Sequence, residues 1–380
     1  MNTRQTGGNV TNRRLWRLLA AVLAIGLVAA ACTSDDDNGD ENGTGGGGQQ
    51  EGGLLEEIRA RGELRCGVND AVPGFGFIDE DGNNVGFDVD FCKVIATAIL
   101  GDPDAIDYRP IGVEQRFTAL QSAEIDVLVR NTTWTATRDG AEGAAFATTT
   151  FYDGQGIMVR ADSGFEALED LDGAAVCVLS GTTTELNLAS VFNGRGIDYE
   201  AQSFPDNDTL REAFIAEQCD AWTSDKSQLA GVRSTFPEDQ GGPDSLTILD
   251  ETISKEPLGP LVRDGDQDFF DAVNWAVLAT IHAEEFGITS ANVDDFLASD
   301  NPAILRFLGQ EVPGDDGAAV FDPQLDLDTD FAQNIVRAVG NYGEIYERHI
   351  GRETPLGLSR GLNNLWTADP PGLLYAPPYV

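Results

Sequence analysis

Short apolar runs alternate twice with amphipathic helices through the middle of this chain, and no other feature narrows its fold as much. In the first round, strands are expected at 64–68, 105–109 and 125–129. Helices fall between them at 90–100 and 113–122. The first of these repeats Phe91, Val94, Ile95, Ala98 and Ile99 at helical spacing. In the second round, strands at 174–179, 198–204 and 221–223 enclose helices at 183–192 and 209–217. A strand that feeds a helix and then another strand builds a mainly parallel sheet, so two such rounds argue for two α/β lobes. A short helix lined by Leu54, Leu55 and Ile58 precedes the first round. A long helix over 267–286 follows the second, which allows one lobe to be assembled from discontinuous segments. In open α/β sheets the ligand lies outside the carboxyl ends of the strands. Two polar clusters stand at such ends, at 131–138 and 180–184.

The first cluster reads Arg130-Asn131-Thr132-Thr133-Trp134-Thr135-Ala136-Thr137-Arg138. Its threonines and asparagine offer hydroxyls and backbone N–H groups, and Arg138 offers a planar fork that grips a carboxylate through two bonds. The plainer alternative is a helix N-cap followed by a surface arginine.

Charge removes whole classes of partner. With 24 Lys+Arg against 64 Asp+Glu the formal net charge is -40, which opposes binding to nucleic acid and to anionic lipid. The 380 residues leave room for two compact domains.

At the N-terminus, Arg13, Arg14 and Arg17 precede an apolar run over 18–31 that is too short to span a bilayer as a helix. The run ends in Ala29-Ala30-Ala31-Cys32, which resembles a bacterial lipobox, with Ala29 where leucine is usual. Residues 1–31 are therefore expected to be a lipoprotein signal peptide, with Cys32 the lipidated residue. Ordinary secretory cleavage near Ala31 is the alternative. Residues 32–53 hold Asp35-Asp36-Asp37, Glu41 and Gly45-Gly46-Gly47-Gly48, the composition of a tether, with an r.m.s. reach of roughly 25 Å.

An ordered set of short motifs then carries a family resemblance. They are Cys66-Gly67-Val68-Asn69, Gly86-Phe87-Asp88-Val89-Asp90, the segment from Arg130, Tyr152-Asp153-Gly154-Gln155-Gly156 and Gly181-Thr182-Thr183. Further on stand Ile253-Ser254-Lys255-Glu256-Pro257-Leu258-Gly259-Pro260, Asn341-Tyr342-Gly343-Glu344 and Leu374-Tyr375-Ala376-Pro377-Pro378. From about Leu54 to the C-terminus the chain resembles the solute-binding proteins of polar amino-acid ABC importers, in their general L-amino-acid branch. That resemblance implies an α/β, two-lobed type II periplasmic-binding-protein-like fold, with mainly parallel sheets and flanking helices. Lobe 1 would comprise 54–153 plus 265–345 and lobe 2 154–264, with 346–380 a C-terminal extension packed on the lobes.

The resemblance also implies roles. Arg138 matches the arginine that clamps the ligand α-carboxylate, and Thr133 and Asn131 match positions that bond ligand main-chain groups. Thr183 opens a helix whose N-terminus favours an anion. Asp225 matches the acceptor of the ligand ammonium, and an N-cap role is its alternative or companion. Phe75 and Phe117 are candidates for an aromatic wall, with burial in the core the competing reading. Arg116 either faces the side-chain end of the pocket or is a solvated surface arginine. The implied partners are an L-amino acid and the permease and ATPase of an ABC importer. A monomer is expected, lipid-anchored on the outer face of the bacterial cytoplasmic membrane, with no cofactor and no metal. A sensory or adhesive lipoprotein on the same fold is the second reading.

After Cys32, four cysteines remain, an even number in an exported chain, which suggests two disulfides. Three connectivities are open. Cys66–Cys92 and Cys177–Cys219 are favoured because each joins a strand to a nearby element, and buried free thiols are the alternative. Gly357-Leu358-Ser359-Arg360-Gly361 has the spacing of a nucleophile elbow, but His282 and His349 both precede the serine, against the order such hydrolases require. Asp326, Asp328 and Asp330 lack the turn glycine of a calcium loop. No enzyme is expected.

Overall fold

The computed structural model describes residues 53–314 and 317–380. The signal peptide, Cys32 and the tether up to residue 52 lie outside the described residues.

Two five-stranded sheets organise the chain, and both are wired alike. In the first, the spatial order is Ile106–Pro110, Leu64–Val68, Val127–Leu128, Leu261–Arg263, Ala144–Phe146. In the second it is Tyr199–Phe204, Ala174–Leu179, Ala221–Asp225, Gln155–Arg160, Leu246–Ile248. The first three strands of each order pair in parallel, while the fourth is antiparallel to both its neighbours. Four strands in each sheet thus share one direction and one opposes them, so the sheets are mixed. The reversed strand is always the one that has just crossed from the other lobe. It must run against the strands of its new sheet because it enters from the end where theirs finish.

Those crossings form a two-stranded ribbon, Phe151–Asp153 against Glu256–Leu258. Leu261–Arg263 is already a member of the first sheet, so the return to lobe 1 comes before the boundary expected at residue 265. The ribbon leaves no room for a longer excursion, since pairing resumes three residues after it ends.

Two helices start three residues away from expectation. The helix expected from residue 90 spans Phe87–Leu100. Gly86 takes φ 137°, and a Cβ there would fall 2.2 Å from the Phe75 carbonyl oxygen, so only glycine lets the chain turn into the helix at this point. The helix expected over 113–122 is confined to Arg116–Gln121, because Val113 is drawn instead into the apolar cluster of the second lobe.

Both favoured disulfides are present. Cys66–Cys92 ties the strand Leu64–Val68 to the helix Phe87–Leu100, with Cα atoms 6.2 Å apart. Cys177–Cys219 ties Ala174–Leu179 to the turn before Ala221–Asp225, with Cα atoms 5.7 Å apart.

The C-terminal segment contributes Ile350, Leu356, Leu374, Ala376 and Tyr379 to the main core of the first lobe. Buried Asp90 fastens it by receiving Arg348 and His349 as well as Lys93. Asn363 clamps the hinge ribbon: the Tyr152 N–H donates to its Oδ1 at 2.7 Å, and its Nδ2 donates to the Tyr152 carbonyl at 3.1 Å. Ser359 lies exposed in an irregular segment of this extension.

Candidate functional site

The carboxyl ends of both sheets face a common small cleft of about 30 Å³, lined from both lobes. Asn131, Thr133, Arg138 and Arg116 reach it from the first lobe, Thr183 and Asp225 from the second. Six of the eight candidate ligand residues therefore come together.

Arg138 sits in the helix Ala136–Ala141, whose N-cap Thr135 accepts the Arg138 N–H at 3.2 Å. The helix-cap half of the plainer reading is thus real, but the arginine is buried rather than solvated. Its Nη1 donates to the Thr133 carbonyl at 2.8 Å, which fixes the direction of the fork. Burial pushes its pKa down, while Glu256 and Asp225 push it up.

The left-handed backbone of Asn131 (φ 28°) is held by a bond from its N–H to buried Asp88 at 2.7 Å. This explains why the helix start at Phe87 matters for the site. The Asn131 side chain belongs to a head-to-tail row of amides that crosses between the lobes. Asn69 Nδ2 donates to Asn131 Oδ1 at 2.9 Å, Asn131 Nδ2 to Gln228 Oε1 at 3.3 Å, and Gln228 Nε2 to Asn207 Oδ1 at 2.8 Å. All four side chains line the cleft.

On the far side, Thr182 caps the helix Thr183–Arg195 by accepting the Glu185 N–H at 3.1 Å, and Glu185 in turn accepts the Gly181 N–H at 3.0 Å. Thr182, Thr183 and Thr184 all line the cleft, so the positive end of a long helix dipole stands at it. The Thr183 hydroxyl donates to Glu256 Oε2 at 2.9 Å and lies 3.4 Å from that of Thr133. Glu256 is buried in the hinge ribbon and also receives Asn187 and Ser254.

Asp225 occupies the N-cap position of the helix Lys226–Ser234, yet its side chain makes no capping bond. The carboxylate is buried, and its pKa is raised well above the usual range by burial and by the charges of Asp153 and Glu256. Asp153 is pushed up to about 6, again by burial first.

Arg116 is buried at 4% exposure, so it is not a surface arginine. Burial and two arginine neighbours lower its pKa strongly. Arg130, quoted in the motif without a role, is a third arginine of the cleft. Its Nε donates to the Ile111 carbonyl at 2.6 Å, and burial lowers its pKa to about 10.

The two aromatic candidates divide. Phe117 lines a larger outer chamber of about 620 Å³ that shares Val113, Arg116, Arg138, Thr182 and Thr183 with the cleft. Phe75 is not in either wall. It is 1% exposed and packs edge-on against Phe87 at 5.7 Å and Phe151 at 5.2 Å. An aromatic residue with two aromatic neighbours in reach gains more from the core than from a wet wall.

Sequence alone assigns no role to Asn69, Gln228, Asn207, Asp153 or Glu256. Asn69, directly after a strand, carried the same strand-end signal as Asn131. Nothing local marks Glu256 as buried, since it stands in a charged, proline-containing stretch.

Comparison with known proteins gives a consistent picture. Residues 64–287 match the family model of the bacterial extracellular solute-binding proteins, family 3. The chain is 50% identical over 324 residues to the general L-amino acid-binding periplasmic protein AapJ of Rhizobium johnstonii, covering 85% of this chain and 92% of the relative. It is 46% identical over 326 residues to the glutamate/glutamine/aspartate/asparagine-binding protein BztA of Rhodobacter capsulatus, covering 86% and 93%. Among solved structures, an ABC transporter / periplasmic binding protein from Brucella ovis with glutathione bound superimposes with a TM-score of 0.80 at 44% identity. That match covers 87% of this chain and 100% of the other.

Proposed function

The chain belongs to the bacterial extracellular solute-binding proteins of family 3, and from that membership and the cleft we propose that it captures L-amino acids between its lobes for an ABC importer. One observation carries the reading: a buried cationic fork, Arg138, and a buried carboxylate without a capping duty, Asp225, reach one small cleft from opposite lobes. An amino-acid zwitterion has the complementary pair of charges. Arg138 takes the α-carboxylate through two parallel bonds, helped by the N-terminus of Thr183–Arg195. Asp225 takes the ammonium, and Asn131 and Thr133 bond the main-chain groups between.

Neither lobe alone meets both charges. The ligand therefore stabilises the closed arrangement by the free energy of the contacts that exist only there. The one bond of the amide row that passes between the lobes, from Asn131 Nδ2 to Gln228 Oε1, adds a neutral contact to that arrangement, worth about 0.5–1.5 kcal/mol net. The names of the relatives, which refer to general L-amino acids and to glutamate, glutamine, aspartate and asparagine, support the ligand class. We read the protein as a binder and not a catalyst, delivering its ligand to a permease coupled to an ATPase. We also propose that Cys32 carries the lipid that holds it on the outer face of the cytoplasmic membrane.

Titration calorimetry of the mature protein against the common L-amino acids tests the reading. Binding of one or more of them at micromolar or tighter Kd, weakened at least about thirtyfold by Arg138→Ala, is the expected result. Failure of every amino acid to bind overturns it.

A further inference from the structure

Gly231 stands inside the helix Lys226–Ser234, a position for which its residue type is poorly suited. Only proline costs a helix interior more than glycine, and alanine costs it least. The backbone does not call for glycine either, because Gly231 is helical and is not among the glycines of positive φ. The reason lies in packing against the other lobe. A Cβ on Gly231 would fall 2.5 Å from the Pro73 carbonyl oxygen, well inside the 3.4 Å at which ordinary van der Waals contact begins.

Neither side of that approach can give way. Pro73 belongs to the first lobe, in a turn closed by the Phe75 N–H, which donates to the Val72 carbonyl at 3.1 Å. Val72 and Phe75 are both buried. On the opposing helix, Leu229 and Val232 are fixed in an apolar core of the second lobe. The obstacle is main-chain oxygen, so no side-chain rotamer can relieve it, and close-packed surroundings do not yield. An added methyl group must therefore move one lobe against the other.

The helix so displaced carries the second lobe's share of the site. Asp225 is its N-cap residue, and Gln228, three positions before Gly231 and on the same face, accepts the Asn131 Nδ2 across the cleft at 3.3 Å. The strand Ala71–Val72, which leads into Pro73, packs against this helix and against Asn207–Ile215. Ser227, which is bonded to Asp153 of the hinge ribbon, lies about 6 Å back along the helix from Gly231. The contact thus stands out from the hinge and exists only while the lobes are together. Resting on the amino-acid reading above, we propose that the approach of Gly231 to Pro73 is a closing contact of the two lobes, and that glycine at this position sets ligand affinity. It does so without touching the ligand, by letting Asp225 come within reach of an amino acid held on Arg138.

Alanine substitution at two helical glycines of the second lobe tests this. Gly194, in the helix Thr183–Arg195, is the control, since a Cβ there meets nothing within 4 Å. The full mature protein is studied by calorimetry with the common L-amino acid that wild type binds best, by thermal melting without ligand, and by small-angle X-ray scattering with and without it. Gly194→Ala should leave the affinity unchanged. Gly231→Ala should melt at or above the wild-type temperature, because the helix gains its best residue, and yet bind at least fivefold more weakly. Gly231→Val should remain more extended than wild type at saturating ligand. Should Gly231→Val fold poorly, scattering on Gly231→Ala decides the point, and ligand-induced compaction equal to that of wild type overturns the proposal. Affinity of Gly231→Ala within fivefold of wild type, or tighter, overturns it as well. So does a melting temperature several degrees below wild type in Gly231→Ala, because the glycine would then serve the packing of its own lobe. In each of these cases wild type still binds amino acids and the broader reading stands. If wild type binds none, that reading falls and takes this one with it.

Discussion

Asp153 caps the helix at whose N-cap position Asp225 stands. The Ser227 N–H donates to Asp153 Oδ2 at 3.2 Å, whereas the Asp225 side chain makes no capping bond. A residue of the hinge ribbon thus does the structural work and leaves Asp225 without a capping duty. The two substitutions should separate accordingly. Asp153→Ala should lower unfolding stability by about 0.5–2 kcal/mol, the usual cost of a lost cap. Asp225→Asn should leave the melting temperature nearly unchanged while weakening amino-acid binding at least tenfold. Thermal melts paired with calorimetry read both effects, and equal loss of stability in the two variants would show that Asp225 is structural.

Arg138→Ala should weaken the best amino-acid ligand by about 2–5 kcal/mol, or roughly thirty- to several-thousand-fold, the usual result of truncating one partner of a buried charged pair. Arg138→Lys keeps the charge and loses the fork, so its loss should be smaller but clear. Affinity within threefold of wild type in Arg138→Ala would place the carboxylate elsewhere.

Binding should release protons at mildly acidic pH. In the empty cleft the Asp225 carboxyl is held well above its ordinary value by burial and by Asp153 and Glu256, and Asp153 is raised to about 6. An arriving ammonium favours the charged carboxylate and lowers its pKa, so ligand binding below the raised pKa expels a proton. By linkage, affinity falls as pH falls through that pKa and levels off above it. Calorimetry at pH 5.5 in buffers of different ionisation enthalpy should show net proton release, which Asp225→Asn should reduce. Net proton uptake would contradict the sign.

The disulfides close stretches with sequence separations of 26 and 42 residues. Chain-entropy arguments put the contribution of each at about 3.5–4 kcal/mol, acting on the unfolded chain. The Cys66→Ala/Cys92→Ala and Cys177→Ala/Cys219→Ala double variants should each melt several degrees lower, with amino-acid selectivity retained. Alkylation of unfolded, unreduced protein should label none of the four cysteines.

Cys32→Ala should release the protein from membranes into the soluble fraction on detergent phase separation. Unchanged partitioning would exclude lipidation at that cysteine.

Much of this molecule was fixed by local chemistry. The alternation of apolar runs and amphipathic helices dictated two α/β units, because each periodicity permits one kind of element and the crossover rule limits how they connect. The clusters at Asn131–Arg138 and 180–184 marked the strand ends where a cleft forms. Only the tertiary structure decided which side chains work there. Phe75 and Phe117 are the same residue type, each near a strand or helix start. One is enclosed by Phe87 and Phe151 and the other opens on the outer chamber, a difference set by segments far away in sequence. Sequence leaves Arg116 open between pocket and surface until the second lobe covers it and brings the Gly181 carbonyl, 65 positions on, to its guanidinium. The exchange of duties between Asp153 and Asp225 likewise spans 74 positions from Asp153 to Ser227. Propensity and periodicity are properties of neighbouring residues. Burial, charge pairing and hydrogen-bond partners belong to the packed chain, and they appear only once the lobes have met.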